Sequence, residues 1–274
     1  MRGGAQAHLI EAADGRFYVV KFRNNPQHRR ILVNEWICAA FLKYLAVATP
    51  EVAIVEVSPE FLRENPQVYI QLGSGRQASD TGWHFGSRFP GDPARSVVYD
   101  FLPDAILNQV ENLDAFRAVL AFDKWVGNAD SRQAVFFRAR LKEHLPAAAA
   151  NPLRVGFVAQ MVDHGFAFDG PHWRFSDSPI QGLYFRPRVY ESVRSLDAFQ
   201  PWLDRILHFP EDVVDHAVKQ IPPAWLEGED SAFPDLLDRL LRRRSRVADL
   251  LEAARDGRAN PFPQWKPART ALTR

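Results

Sequence analysis

Cysteine is almost absent from this sequence. The single Cys38 can form no internal disulfide and cannot build a cysteine zinc site. A dominant charge is missing too: Lys and Arg number 34 against 33 Asp and Glu, a net charge of +1, which lacks the electrostatic footprint of a dedicated nucleic-acid binder. No apolar run reaches the roughly 20 residues of a membrane helix; the best stretch, Ala39–Val57, is broken by Lys43, Pro50, Glu51 and Glu56. The first residues hold no apolar signal-peptide core. The eight histidines lack the H-E-x-x-H spacing of a metalloprotease, and no G-x-S-x-G hydrolase elbow occurs. The expectation is a soluble, cytoplasmic protein with no direct nucleic-acid or membrane contact.

What is present is ordinary globular material, 46% hydrophobic and 24% charged. At 274 residues the chain is near the size at which one core divides into two. Strands are predicted at Gln6–Ala12 and Phe17–Phe22, around an Asp14-Gly15 hairpin turn. Apolar residues Trp36, Ile37, Ala40, Phe41, Tyr44 and Leu45 recur at helical spacing within Arg30–Leu45. Strands follow at Val52–Val57 and Val68–Leu72, then a Gly/Ser/Asp-rich loop, Gly73–Pro93, with an extended piece at Trp83–Phe89. Later come a helix at Asn112–Val126 and extended pieces at Ala134–Ala139 and Arg154–Val162, joined by the Pro/Ala segment Pro146–Pro152. Helices are predicted at Leu196–Leu207, Glu211–Lys219 and Ser231–Ala254, with an irregular tail from Asp256. This is an α+β pattern: a strand-rich first lobe over 1–100, a mainly helical second lobe over 101–255, and a tail over 256–274. A cleft between two such lobes is a favoured ligand site.

Four segments could carry chemistry. Gly3-Gly4-Ala5-Gln6 leads into the first strand, where glycines let backbone amides approach an anion; a flexible end reads equally simply. Lys21 lies within the apolar strand Tyr18–Phe22 and needs a partner if buried, with Glu35 on the next helix as the candidate. The alternative is a lysine on the solvent face. The run Phe122-Asp123-Lys124-Trp125-Val126-Gly127-Asn128-Ala129-Asp130 ends a helix at Gly127 and displays Asn128 and Asp130 on a loop. They suit a proton acceptor and a loop-ordering group, or simply a turn. Met161-Val162-Asp163-His164-Gly165 ends an apolar strand in a carboxylate, a hard-oxygen ligand for Mg²⁺ or again a turn. Their order is that of phosphoryl-transfer enzymes, in which a strand lysine is oriented by a helix glutamate.

Through these residues the sequence resembles the HipA-like kinases, bacterial members of the wider two-lobed protein-kinase-like group. It is most similar to a short single-domain branch carrying F-D-x-W-x-G-N-x-D followed by D-H-G. The matching residues are Phe122, Asp123, Trp125, Gly127, Asn128 and Asp130, then Asp163, His164 and Gly165. The Asn34-Glu35 pair and a C-terminal helix with Leu240, Arg243, Arg244, Val247 and Leu250 fit as well. The resemblance implies an ATP- and Mg²⁺-dependent phosphotransferase acting on a Ser or Thr hydroxyl of a protein. In it Asp130 is the catalytic base, Asn128 braces the catalytic loop, and Asp163 holds Mg²⁺. Lys21, oriented by Glu35, binds the α/β-phosphates, and Gly3, Gly4, Ala5 and Gln6 cover them.

One departure stands out. Such kinases carry an Asn a few residues after the catalytic Asp as a second metal ligand, whereas here Val135 is five residues on. Gln133, whose amide oxygen is also a hard ligand, could substitute with a shorter loop; either the metal site is rearranged or activity is weak or absent. The chain also begins almost on its phosphate loop, leaving the strand before that loop short or lost. Two other readings stay open: a nucleotide-binding or interaction module without transferase activity, and a small-molecule or lipid kinase. The adenine edge is expected near Phe85–Phe89, with Tyr99–Leu102 as the alternative. Asp169–Gln181 reads as an activation-like segment with Ser176 and Ser178 as self-phosphorylation sites. The arginines of Arg239–Arg246 are expected on the solvated face of an amphipathic helix, and Cys38 in the core.

Overall fold

A hairpin starts the chain's first sheet. β1 (His8–Glu11) and β2 (Phe17–Lys21) pair antiparallel, with Leu9 opposite Val19 and Ile10 opposite Tyr18. Gly15 takes φ +72° in the turn, a conformation that only glycine adopts without steric cost. The computed structural model describes residues 4–145, 151 and 153–266. After the hairpin come α1 (Arg30–Tyr44), β3 (Val52–Val57), α2 (Pro59–Glu64), β4 (Tyr69–Leu72), β5 (Gly75–Ala78) and β6 (Gly82–Arg88). β6 inserts between β2 and β3, so the sheet order is β1-β2-β6-β3, antiparallel throughout.

Register then decides which side chains share a face. Lys21 lies opposite Phe85 and Val19 opposite Ser87, so these four line one face of the sheet. Ile10, Tyr18 and Val20 point the other way and pack with Phe22, Val57, Val68 and Ile70 in a small cluster of their own. β4 and β5 form a separate two-stranded ribbon. The sequence reading places β5 inside a loop, because all four of its residues are exposed and show no alternation. α2 also escapes it: Ser58 caps the helix and Pro59 opens it, but none of its residues is buried.

The rest of the chain contains β7 (Val98–Tyr99), α3 (Asp104–Leu107), α4 (Ala115–Val126), β8 (Gln133–Arg140) and β9 (Val155–Val162). β7, β8 and β9 form a three-stranded antiparallel sheet. Then follow α5 (Trp202–Leu207), α6 (Glu211–Lys219), α7 (Pro223–Leu226), α8 (Ala232–Arg242) and α9 (Val247–Asp256). The architecture is α+β, as expected. The main apolar cluster spans both halves of the chain, because α1 contributes Leu32, Val33, Ile37 and Phe41 to the same core as Phe116, Leu120, Phe122 and Trp125 of α4. Phe41 stacks on Trp125 with ring centroids 5.4 Å apart. Cys38 is fully buried there.

Three expectations are corrected. The helix predicted over 196–207 is split into a 3-10 turn, Leu196–Phe199, and α5, with Pro201 between them, which has no N–H to continue the ladder. The helix predicted over 231–254 is likewise divided, by the 3-10 turn Arg243–Arg246. Arg243 is not on a solvated face: it is buried, and it donates to the carbonyls of Lys124 and Trp125 at the end of α4. Those carbonyls are orphans of a helix terminus, and a cation there satisfies both hydrogen bonding and dipole. The tail over 257–266 has no helix or strand, as expected, yet it contributes to the core. Phe262 and Trp265 are buried and pack against Phe199. Among the described residues no helix is long and apolar enough to cross a membrane.

Two expected outcomes follow from this packing. Phe262→Ala removes a ring that is 1% exposed, and its unfolding free energy falls by about 3–5 kcal/mol in urea titration. An effect below about 1 kcal/mol would show that the tail does not belong to the core. The second concerns His84, fully buried in β6, whose Nδ1 accepts the Arg23 N–H and whose Nε2 faces the Asp80 carbonyl. Burial pulls its pKa from 6.5 down to about 4. Between those values the unfolded chain binds the proton and the folded chain does not, so stability is lost as pH falls, by up to about 3 kcal/mol. Urea midpoints at pH 7 and pH 4.5 should therefore differ more in the wild type than in His84→Gln; equal differences would contradict this.

Candidate active site

Lys21 ends β2 on the sheet face it shares with Val19, Phe85 and Ser87. It is 8% exposed, and an ammonium so placed needs anionic partners. It has two. Its Nζ donates to Glu35 of α1 and, at 2.8 Å, to Oδ1 of Asp163, which lies 142 residues further along the chain. Burial pulls the lysine toward neutrality, but the two carboxylates outweigh it and raise its pKa above the ordinary value. Asp163 is pushed up by burial, yet the Lys21 charge and hydrogen bond leave it below the ordinary carboxylate value. It is the more open member of the group, with its side chain 39% exposed. Its φ of +58° turns the chain sharply at the end of β9, a conformation Asp tolerates better than most residues.

Glu35 also accepts the backbone N–H of His164 at 3.0 Å, so one carboxylate joins the sheet lysine to the Asp163-His164-Gly165 turn. Its neighbour Asn34, fully buried, extends the connection. The Asn34 amide donates to the carbonyls of Gly165, Ala167 and Gly170, and its oxygen accepts from the Trp173 indole at 2.8 Å.

The second motif begins at the end of α4. Gly127 adopts φ +58° as the C-cap, and Asn128 follows, 1% exposed. Asn128 is turned inward. Its Nδ2 donates to Asp123 and its Oδ1 accepts the Asp130 N–H, which fixes the loop. Asp130 is exposed, with Oδ1 accepting the Ser131 N–H at 2.7 Å and Oδ2 lying 3.4 Å from the Gln133 amide nitrogen. Gln133 pairs with Val162 across β8 and β9, which puts it beside the residue preceding Asp163. Among the described residues no three His, Cys, Asp or Glu side chains cluster as a metal cage. The Gln133 amide bonds to Asp130 and the Asp163 carboxylate to Lys21; carboxylate and amide oxygens are hard donors of the type Mg²⁺ takes.

Of the predicted phosphate loop, Gly3 lies outside the described residues. Gly4 is exposed and sits against the end of the Gln27 side chain. Ala5 is buried, and the Gln6 side chain is held by both backbone groups of Gln71 in β4. Phe85–Arg88 belong to β6, and the Phe89 N–H is taken by the Phe17 carbonyl. Tyr99 pairs with Phe136, and the Leu102 carbonyl accepts from Arg186. A cavity of about 10 Å³, room for about one water, lies beside the lysine's partners and is lined by Glu35, Ala39, Val52, Phe85, Asp163 and His164. A larger one, about 390 Å³, lies at the far end of β2 among Glu11, Arg16, Phe17, Arg88 and Phe89. Ser176 is exposed and Ser178 half-buried, on either side of Asp177.

Sequence reasoning gave no role to Asp123, Arg132 or Asn34. Arg132 is buried, and its guanidinium makes a fan: Nε to Asp123 Oδ2 at 2.8 Å, Nη1 to the Val162 carbonyl at 2.8 Å and to His164 Nδ1 at 3.1 Å, and Nη2 to Asp123. Arginine is donor-only, so His164 Nδ1 accepts and the ring is neutral; burial, then the Arg132 charge, hold its pKa well below the usual value. The fan ties the Asp130 loop to the Asp163 turn. An aspartate among apolar residues in the last turn of α4 was the available signal, since such a carboxylate, if buried, requires a cation. Arg132→Leu strands the Asp123 charge, so unfolding free energy should drop by about 3–5 kcal/mol. The double variant Asp123→Leu with Arg132→Leu should recover part of that loss in a double-mutant cycle; purely additive losses would contradict the pairing.

The family model for HipA-like kinases matches residues 1–248. No curated protein matches the chain. Among solved structures the chain is similar to a crystal structure of the Golgi casein kinase with Mn/ADP bound, at 12% identity and a TM-score of 0.49, over 94% of this chain and 73% of that one. The family match covers most of the sequence, and the chain belongs to the HipA-like kinases, a kinase-type phosphotransferase.

Proposed function

We propose that this kinase transfers the γ-phosphate of Mg-ATP to a Ser or Thr hydroxyl of a protein, in a site built on Lys21, Glu35, Asp130 and Asp163. The observation that carries this reading is the convergence of a sheet cation with carboxylates from α1 and from the Asp163 turn. Bound Mg-ATP would supply the transferable phosphoryl group and neutralise the charge that develops on it. Asp163 and Gln133 would hold the metal. Lys21 would exchange its bond to Asp163 for one to the α/β-phosphates while Glu35 keeps it oriented. Its raised pKa keeps it cationic over the whole working range.

Asp130 takes the proton of the acceptor hydroxyl as that oxygen bonds to the γ-phosphorus and the bond to the departing ADP breaks. Asn128 works through the loop, not on the substrate, since it is buried between Asp123 and the Asp130 amide. The backbone over residues 4–6 would cover the phosphates, and the adenine edge would lie near Phe89, where β6 ends beside the cavity of about 390 Å³. That cavity's lining includes Phe17, four residues from Lys21 along β2, a span of about 13 Å at the rise of an extended strand.

The test is phosphate transfer from radiolabelled ATP to added protein and to the chain itself. Asp130→Ala lowers kcat about 10²- to 10⁴-fold, the usual value of a positioned general base. Asp163→Asn abolishes transfer. Equal turnover in the wild type and both variants would overturn the proposal. Stabilisation by Mg-ATP without any transfer would instead mark a nucleotide-binding module.

A further inference from the structure

Lys124 belongs to α4, next to Asp123, yet it takes no part in the site described above. It is 3% exposed, and its ammonium uses all three protons on one stretch of chain: Nζ donates to the carbonyls of Ser178 at 3.2 Å, Pro179 at 2.9 Å and Gln181 at 2.8 Å. The turn is closed from within by the Gln181 side chain, which accepts the Ser178 N–H at 3.0 Å. Just before it, Asp177 is gripped by two arginines, Nη2 of Arg243 at 2.7 Å and Nη2 of Arg246 at 2.9 Å. Arg243 also lies over the Phe175 ring, 4.6 Å from its centroid.

Just after the turn, the segment meets the catalytic loop directly. The Gly182 N–H donates to the Asp130 carbonyl and the Arg132 N–H to the Leu183 carbonyl, both at 3.0 Å. Gly182 has φ +67°, and a Cβ there would lie 2.2 Å from that of Asp123, so the approach requires glycine. Ile180, at the crest, is 50% exposed. A stretch of irregular chain is thus bonded at one end to α4 and the Arg243–Arg246 turn, and at the other to the backbone of Asp130.

We propose that Lys124 and Asp177 are positioning residues for the phosphoacceptor, holding 177–183 as a fixed wall beside Asp130 against which the acceptor hydroxyl is aligned. The proposal rests on the phosphotransferase reading above and adds the device that keeps the acceptor side assembled. The ordering charge is a carboxylate built into the chain: Asp177 already occupies both arginines, so the wall forms without phosphate on Ser176 or Ser178. Burial draws the Lys124 pKa down to about 8, against the pull of Asp123 and Asp177, which still leaves it mostly protonated, with three donors, at neutral pH.

The test separates the acceptor side from the nucleotide side. In Asp177→Asn, kcat for transfer of radiolabelled phosphate to dephosphorylated casein should fall about 10- to 100-fold, the effect of a small misplacement, while KM for Mg-ATP stays within about two-fold. Asp177→Glu should restore most of the rate, and Lys124→Met should behave like Asp177→Asn. If Lys124→Met does not fold, the Asp177 pair carries the test. Unchanged kcat, or a KM for Mg-ATP that rises in step with the loss, would overturn the positioning role. Amide hydrogen exchange reads the wall without any chemistry: Gly182 and Arg132 should be protected in the wild type and exchange at least about ten-fold faster in Asp177→Asn. Equal protection overturns the wall. No transfer by the wild type, with that exchange difference intact, would overturn the phosphotransferase reading instead.

Discussion

The structure depends on one buried cation shared by two carboxylates. Without Glu35 and Asp163, burying the Lys21 ammonium would cost several kcal/mol; with them it fastens the end of β2 to α1 and to the turn after β9. α1 is the firm side of this junction, because its apolar residues belong to the same cluster as α4. The lysine is therefore positioned by the main core even though its strand belongs to a sheet whose opposite face packs in a separate, smaller cluster. A cation held by carboxylates also has ready replacements in an anionic ligand, which makes the same interaction suitable for structure and for phosphate binding.

The loops around this junction are ordered by a repeated device. Irregular chain leaves carbonyls without partners, and a buried side chain with several donors can satisfy two or three of them together. Asn34 does so for the turn after Asp163, Lys124 for the turn at 178–181, and Arg243 for the end of α4. Each donor sits on, or directly after, a helix whose apolar face is already buried, so its own conformational entropy is largely lost before the loop is ordered. Removing one such donor would expose several carbonyls to an unsatisfied interior at the same time.

The candidate site residues stood out because they sit in short local patterns: a lysine in an apolar strand, an acid and glycine after one, Asn and Asp after a helix-ending glycine. The hairpin, α1, β8 and β9 were readable for the same reason, since burial on one face imposes a period. The donor fans were not readable. Nothing local in Phe122-Asp123-Lys124 says that its lysine will reach carbonyls more than fifty positions later, or that Arg243 will turn inward from a run of arginines that looks solvated. β5 left no signal because all its residues are exposed, and prolines around Phe262 and Trp265 concealed two core aromatics in what reads as loose tail.

The central claim is that folding gathers Lys21, Glu35, Asp130 and Asp163 around one nucleotide. A crystal structure with a nonhydrolysable ATP analogue and Mg²⁺ tests it most directly. The account predicts a metal on Asp163 with Gln133 reaching it, Lys21 turned from Asp163 to the α/β-phosphates with Glu35 still bonded, and the γ-phosphate facing Asp130. A nucleotide bound elsewhere, with the Lys21–Asp163 pair intact, would contradict it.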